Sequence, residues 1–237
     1  AFSAPKGKVL AAIDYSQIEL RVAAGLSGDE KLGEVFKKGG DIHTAVAAEV
    51  FGVPPEIVDY EMRRRAKVIN FGILYGMGVN ALRENRGTDR AEAQAFFNRY
   101  FETYAGLANY LEQTKASAMK LGYTTTLFGR KRYFPGIKSS LPFVRAQAER
   151  MAINAPIQGT QSDIIKIAMS RIHKRFQEKY PNDAFLILQI HDELICEVKE
   201  SVVEEVAGEV KGMLEGVLTR EEMNGIPLIV TAEVGQN

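Results

Sequence analysis

The sequence has few of the features that mark secreted, membrane-spanning or zinc-binding proteins. Its single cysteine, Cys196, excludes an internal disulfide and favours a reducing, cytoplasmic location. The longest apolar runs are shorter than a membrane-spanning helix requires, so we expect no membrane partner. The three histidines and the cysteine lack the spacing of a zinc site. The remaining composition is that of an ordinary globular protein.

The formal net charge is zero, but the charges are segregated along the chain. Residues 61–150 contain sixteen Lys and Arg against seven Asp and Glu, whereas residues 193–223 contain nine acidic and three basic residues. A basic middle segment is typical of a surface that binds a polyanion such as nucleic acid. Solvated basic helix faces would give the same count, so charge alone leaves both interpretations open.

Two aspartates lie at the ends of predicted strands. Asp192 interrupts the apolar run 185–198, with His191 and Glu193 on either side, and a strand near the N-terminus ends at Asp14. A carboxylate between apolar strands is costly to bury unless it is hydrogen-bonded, paired or bound to a metal ion. If both strands belong to one sheet, the two aspartates would form a divalent-metal site.

The most informative predicted helix runs from about Asp59 to Tyr75. Arg63, Lys67, Phe71 and Tyr75 recur every four residues and therefore share one face. A stripe that is basic at one end and aromatic at the other fits a ligand with phosphates and a flat ring. The alternative is that the aromatic residues are core and the cations are solvated.

A second polar stripe precedes a predicted helix break at Pro156. Arg150, Asn154 and Gln158 recur every four residues toward that break. Side chains at this spacing would reach base edges in a minor groove, or Asn154 would satisfy the broken backbone.

The segment 122–135 combines β-branched residues, a turn glycine and a basic tip. This pattern predicts a β-hairpin that carries Arg130, Lys131 and Arg132. Basic side chains at a hairpin tip fit contacts to the phosphates of a nucleic-acid backbone.

Three of these stretches, in this order, resemble the signature blocks of the DNA polymerase I family. They are Asp14–Arg21 (DYSQIELR), Arg63–Gly76 (RRRAKVINFGILYG) and the triplet His191–Glu193. The resemblance covers essentially the whole chain. It implies an α+β fold, a right-hand polymerase palm with a small antiparallel sheet plus mainly helical fingers. The palm would comprise residues 1–40 and 140–237, and the fingers residues 41–139.

The resemblance implies a DNA-directed DNA polymerase that performs template-directed DNA synthesis. Such an enzyme transfers dNMP from dNTP to a primer 3′-hydroxyl with pyrophosphate release. The cofactors would be two Mg²⁺ ions, bound by Asp14, Asp192 and the backbone carbonyl of Tyr15, with Glu193 as a nearby carboxylate. The partners would be dNTP and primer-template DNA, and we expect a monomer.

The resemblance also implies a nucleotide site on the basic and aromatic helix face. Arg63 and Lys67 would bind the triphosphate, with Lys67 counted among the catalytic residues, and Phe71 would pack against the sugar and base. Further nucleotide contacts would come from Tyr75, His43, Gln17 and Glu19. In the family the last of these disfavours a 2′-hydroxyl, although Ser16–Glu19 also has the form of a helix capping box.

DNA contacts are implied at the two other patterned stretches. Primer-template contacts in the minor groove would come from Arg150, Asn154, Gln158 and His191. Tyr75 would stack where the template base enters. Arg130 and Arg132 would contact DNA through the hairpin.

The family carries a thumb upstream of the Asp14 block, and nothing in this sequence corresponds to it. We therefore expect a catalytic fragment of a longer polymerase, with the upstream domains in the parent chain and low or absent activity alone. One alternative is a single-subunit RNA polymerase-like nucleotidyltransferase, against which Glu19 argues. Another is a non-catalytic nucleic-acid-binding fragment, against which Asp14, Asp192 and the Arg63–Lys67 stripe argue.

Overall fold

The computed structural model describes residues 3–86 and 89–237, which form helices and a small antiparallel sheet. The helices are α1 (Ile18–Ser27), α2 (Glu30–Lys37), α3 (Ile42–Phe51), α4 (Tyr60–Leu74), α5 (Val79–Arg86), α6 (Arg90–Thr103), α7 (Ala105–Leu121), α8 (Pro142–Lys179) and α9 (Val203–Glu215). The strands are β1 (Lys8–Tyr15), β2 (Tyr123–Thr125), β3 (Lys131–Tyr133), β4 (Ala184–Ile190), β5 (Glu193–Lys199) and β6 (Val230–Gly235). Among these described helices, none is both long and apolar enough to span a bilayer.

The chain divides into two compact units. The sheet unit comprises the described part of 1–22 together with 161–223 and 227–237, and the helical unit comprises the described part of 23–160 with 224–226. The divisions fall inside α1 and α8. The predicted boundaries at 40/41 and 139/140 lie elsewhere, and the assignment of palm and fingers segments stays a prediction.

In the sheet unit, the four-stranded sheet has the order β4-β5-β1-β6, with every neighbouring pair antiparallel. The side chains of β1 alternate, and those of Val9, Ala11, Ile13 and Tyr15 are buried. Helix α9 packs on the sheet through buried Val206, Val210 and Leu214. The upstream strand and the 185–198 run thus belong to one sheet, as the two-aspartate hypothesis requires.

Strand β4 is less buried than its apolar sequence predicts. Phe185, Ile187 and Ile190 are exposed, because β4 is an edge strand with a bulge between Leu186 and Leu188. A bulge bends the strand and breaks the strict alternation of faces. The apolar run 185–198 is therefore buried at alternate residues along β5 but largely exposed along β4.

In the helical unit, aspartates begin four of the helices. Asp29, Asp41, Asp59 and Asp89 each accept backbone N–H groups in the first turn, of α2, α3, α4 and α6 respectively. Such caps satisfy donors that the helix itself leaves unpaired. Helices α3 and α7 end at glycines in the left-handed conformation, Gly52 (φ 64°) and Gly122 (φ 82°).

Helix α8 continues for 38 residues through Pro156, so the predicted break there is wrong. Proline removes one backbone donor and crowds the preceding turn, at a cost of about 3 kcal/mol in a helix interior. The turns on both sides are buried at Ala152, Ala155 and Thr160, and this packing holds the helix together. The predicted 122–135 hairpin is confirmed as β2 and β3.

Candidate functional site

The predicted metal-binding carboxylates lie where β1 approaches the turn between β4 and β5. In the sheet register Asp14 is opposite Glu193, and the Tyr15 N–H points to the Asp192 carbonyl oxygen at 3.5 Å. Asp192 itself lies in the two-residue turn just before Glu193. The sheet thus brings Asp14, Asp192 and Glu193 together, although nearly 180 residues separate the first two in sequence.

The surroundings of Asp14 favour a bound cation. Burial raises the pKa of its carboxyl group, the negative charges of Asp192 and Glu193 raise that pKa further, and the Tyr15 N–H opposes the shift. Asp14 Oδ1 is buried, and no group in the described part of the chain hydrogen-bonds to it. A carboxylate left in this state is costly unless a cation or proton joins it.

Three or more acidic, histidine or cysteine side chains do not converge on one point anywhere in residues 3–86 or 89–237. This donor set fits Mg²⁺, which takes one or two protein carboxylates and completes its shell with water and substrate oxygens. The same set of carboxylates does not fit a metal site in which every ligand comes from the protein. The residues present therefore suit a magnesium ion that arrives with a phosphate-bearing substrate.

The remaining predicted residues of the sheet unit flank these carboxylates. His191 opens the β4–β5 turn with a φ of 54°, is exposed, and accepts at its carbonyl oxygen from the Gln189 side chain at 3.0 Å. The buried Tyr15 side chain donates to the Leu214 carbonyl oxygen at 2.7 Å, so only its backbone is free for the predicted role.

Gln17 and Glu19 follow β1 at the start of α1, and both are half-buried. Gln17 has a left-handed φ of 56°. The turn is held by Arg21, whose guanidinium donates to the carbonyl oxygens of Ser16 (2.8 Å) and Pro227 (2.9 Å). This role of Arg21 could not be predicted from local sequence, because Pro227 is 206 residues away.

The second group of predicted residues lies on α4, in the helical unit. The rings of Phe71 and Tyr75 stack with centroids 6.1 Å apart, and Lys67 is exposed one turn earlier. Tyr75 is 40 % exposed and Phe71 is half-buried, so the alternative that both are core residues is wrong. The buried face of α4 consists of Ala66, Ile69, Asn70, Ile73 and Leu74.

Arg63, on the same face of α4, is held by a carboxylate. Its Nε lies 2.6 Å and its Nη2 3.3 Å from the two oxygens of Asp41. Asp41 also accepts from the backbone N–H groups of His43 and Thr44 as the N-cap of α3. The contact between Asp41 and Arg63 could not be predicted from the sequence, because the two residues lie 22 positions apart.

His43 is buried at 2 % exposure beside this face. Its Nδ1 lies 3.1 Å from Asn70 Nδ2, and its ring centroid lies 5.8 Å from that of Phe71. Burial lowers its pKa to about 4, helped by Arg63 and Lys67 and opposed by Asp41. The predicted phosphate contact is therefore an uncharged imidazole near neutral pH.

The second polar stripe lies on α8 and remains in one helix. Arg150 and Gln158 are exposed, whereas Asn154 is half-buried, and its Oδ1 has no hydrogen-bond partner in the described part of the chain. Arg150 crosses Gly76, where a Cβ would come within 2.8 Å of its Cγ. The left-handed φ of 76° at Gly76 gives a second reason for glycine there.

The hairpin tip is attached to α8. The Leu127 N–H donates to Thr160 Oγ1 at 3.0 Å, and Arg130 Nη2 donates to the Gly159 carbonyl oxygen at 3.1 Å. The Arg132 guanidinium lies 5.6 Å from the Phe134 ring centroid. Both predicted DNA-contacting arginines are exposed, and Arg130 also helps to hold the hairpin in place.

Comparison with known proteins gives these features a family. The family model described as DNA polymerase family A matches residues 1–237. The chain belongs to DNA polymerase family A. It is 48 % identical over 237 residues to DNA polymerase I of Pseudomonas aeruginosa, covering 100 % of this chain and 25 % of that protein. It is 47 % identical over 237 residues to the thermostable DNA polymerase I of Thermus filiformis, covering 100 % and 28 %.

A solved structure supports the same family A fold. The POL domain of Pol1 from M. smegmatis, in complex with DNA primer-template and dNTP, superposes with a TM-score of 0.94 at 37 % identity. The match covers 100 % of this chain and 41 % of that one. The predicted fold class, a polymerase palm with a small antiparallel sheet plus mainly helical fingers, is confirmed. The chain spans about a quarter of the length of the two relatives above.

Proposed function

We propose that the chain provides the catalytic centre for template-directed DNA synthesis, acting as a fragment of a longer polymerase. The reaction transfers dNMP from dNTP to a primer 3′-hydroxyl and releases pyrophosphate. The observation that carries this proposal is the meeting of Asp14, Asp192 and Glu193 at one end of the sheet in a family A chain. A single-subunit RNA polymerase-like activity and a non-catalytic role are the alternatives that the experiment below separates.

Asp14, Asp192 and the Tyr15 carbonyl oxygen would bind two Mg²⁺ ions, with Glu193 nearby. The buried Asp14 Oδ1 without a partner and the raised Asp14 pKa support this assignment. When bound, the ions would make the primer 3′-hydroxyl more nucleophilic and would stabilise negative charge on the transferred phosphoryl group. Asp14, at the end of β1, and Asp192, in the β4–β5 turn, would orient the reacting groups.

The exposed face of α4 would bind the nucleotide. Lys67 and Arg63 would stabilise the negative charge that grows on the leaving pyrophosphate, and Asp41 keeps Arg63 in one geometry. Phe71 would pack against the sugar and base, and the stacked Tyr75 would contact the template base. Gln17, Glu19 and His43 would complete the nucleotide contacts.

Primer-template DNA would contact α8 and the two turns that carry basic groups. Arg150, Asn154, Gln158 and His191 would reach acceptors in the minor groove, whose positions are similar in every correct base pair. Arg130 and Arg132 would contact DNA through the hairpin. The DNA- and dNTP-bound state of the M. smegmatis neighbour supports both partners. We further propose a cytoplasmic monomer.

The test is primer extension with Mg²⁺, by this chain and by the longest natural polypeptide that contains it. We expect each dNTP to be added only opposite its complement, and the corresponding rNTP at least about tenfold more slowly. Failure of the longer polypeptide to extend a primer that it binds would support the non-catalytic alternative. Faster use of rNTP would support the RNA polymerase alternative.

A further inference from the structure

A buried histidine and a buried amide form a hydrogen bond between α3 and α4. His43 is 2 % exposed and Asn70 is 0 % exposed. Their contact joins His43 Nδ1 to Asn70 Nδ2 at 3.1 Å. Because both side chains are buried, leaving either partner of this bond unpaired would be costly, so the bond constrains the protonation state of the ring.

The chemistry of the two groups limits that state to one form. An amide NH₂ group can only donate, so the Nδ1 that faces it must be an acceptor without a proton. A neutral imidazole then carries its single proton on Nε2. The charged groups that act on His43 are Asp41, Arg63 and Lys67. Burial and the two cations lower the pKa of the ring, Asp41 opposes them, and the net result is an uncharged imidazole near neutral pH.

His43 adjoins the proposed nucleotide face. Its ring is 5.8 Å from Phe71, and the preceding N-cap, Asp41, binds Arg63. A neutral donor beside two cations adds direction to phosphate binding without adding a third full charge.

We propose that Asn70 is a positioning residue that fixes His43 as the neutral Nε2–H tautomer, so that His43 presents one directional donor to a nucleotide phosphate. The phosphate role rests on the proposed function, whereas the tautomer does not.

The tautomer is tested by long-range ¹H–¹⁵N correlation spectra of the folded chain, without DNA or nucleotide. His173 and His191, both exposed, are internal references. We expect the wild-type spectrum to show a protonated Nε2 and an unprotonated Nδ1 on His43 at about pH 7. A protonated Nδ1 would overturn the proposal, because Asn70 would then present its oxygen to the ring.

The positioning role is tested with Asn70→Asp, which keeps the shape but can only accept a hydrogen bond. We expect it to place a proton on Nδ1 and to make the KM for dNTP change by about threefold or more between about pH 6 and pH 8. Wild type and the control Asn98→Asp, an exposed change on α6, should not show this change of KM with pH. If Asn70→Asp does not fold, Asn70→Leu should abolish the preference for the Nε2–H form.

The outcomes separate the two proposals. Unchanged tautomer and KM profiles in the Asn70 variants would show that Asn70 does not position His43. If the longest natural polypeptide adds no nucleotide at all, the phosphate role falls with the proposed function, and the spectra still decide the tautomer.

Discussion

At the level of single residues, His43 connects burial to a measurable pH dependence. Its pKa falls from 6.5 to about 4 in the folded protein. Between these values the His43 side chain binds a proton in the unfolded chain but not in the folded chain. Its contribution to the free energy of unfolding is therefore fully present above pH 6.5 and decreases as the pH falls toward 4. At about pH 5 the loss is about 2 kcal/mol.

The measurement is urea unfolding of wild type and His43→Gln at about pH 7.5 and about pH 5. Other groups also titrate in this range, so the informative quantity is the difference between the two chains. We expect wild type to lose about 2 kcal/mol more than His43→Gln on acidification. The same loss in both chains would show that His43 takes up its proton equally in the folded and unfolded states.

The residue scale also shows what sequence could reveal about the site. The proximity of Asp14 and Asp192 could be predicted because a carboxylate among apolar strand residues needs a physical explanation. Asp41 and Asn70 could not be predicted, because their partners Arg63 and His43 lie 22 and 27 residues away. Only the packing of α3 on α4 brings these side chains together, and the local periodicity of the sequence does not predict that packing.

At the level of elements, Asp29 joins two helices. Its Oδ1 accepts from the Leu32 N–H at 2.9 Å as the N-cap of α2, and its Oδ2 accepts from the Leu107 N–H at 3.0 Å in the first turn of α7. The side chain is buried. Gly106 permits this approach, because a Cβ there would lie 2.7 Å from Asp29 Cα.

We expect Asp29→Ala to cost about 3 kcal/mol in the free energy of unfolding, because two buried N–H groups lose their acceptor. The matched control is Asp59→Ala, which removes one exposed N-cap, on α4, and should cost about 1 kcal/mol. Chemical denaturation of both variants checks the comparison. Equal costs would mean that the bond to Leu107 contributes nothing to the stability of the folded chain.

A pair of glycines tests the attachment of the hairpin. Alanine at an exposed helix position is favoured over glycine by about 1 kcal/mol, and Gly208 on α9 has open space around it. At Gly159 on α8 the added Cβ would lie 2.5 Å from Thr126 Cγ2, at the base of the hairpin tip.

We therefore expect Gly208→Ala to stabilise the chain by about 0.5 to 1 kcal/mol and Gly159→Ala to displace the hairpin. Limited trypsin digestion measures the displacement, since residues 130–132 are all basic. Cleavage there should be about tenfold faster in Gly159→Ala, which corresponds to about 1.4 kcal/mol of easier local opening. Unchanged cleavage would mean that the hairpin tolerates the methyl group where it stands.

Element prediction succeeded where local chemistry determines the outcome. The predicted helix from about Asp59 to Tyr75 is confirmed as α4, with Asp59 as its N-cap, and the four residues of the predicted stripe lie off its buried face. Prediction failed at Pro156 and at β4, where tertiary packing determines the result. Helix α8 continues past Pro156 because the turns on both sides of the proline are buried. Strand β4 is partly exposed because it is an edge strand with a bulge.

At the level of the whole molecule, the zero net charge conceals a separation of charge between the two units. The described part of the basic segment 61–150 lies in the helical unit, and the acidic segment 193–223 lies in the sheet unit. Association with DNA depends on local charge density, so neutrality of the sum does not oppose it.

The most direct test of the account is single-turnover incorporation of one dNTP by Asp14→Asn in the longest natural polypeptide that contains this chain. At saturating Mg²⁺, primer-template and dNTP, we expect the rate to fall by about 10³-fold, because about 4 kcal/mol of transition-state stabilisation is lost. Primer-template affinity should stay within about threefold. Asp183→Asn, the same change elsewhere in the sheet unit, should keep the wild-type rate. A rate for Asp14→Asn within about tenfold of wild type would contradict the assignment of the catalytic centre.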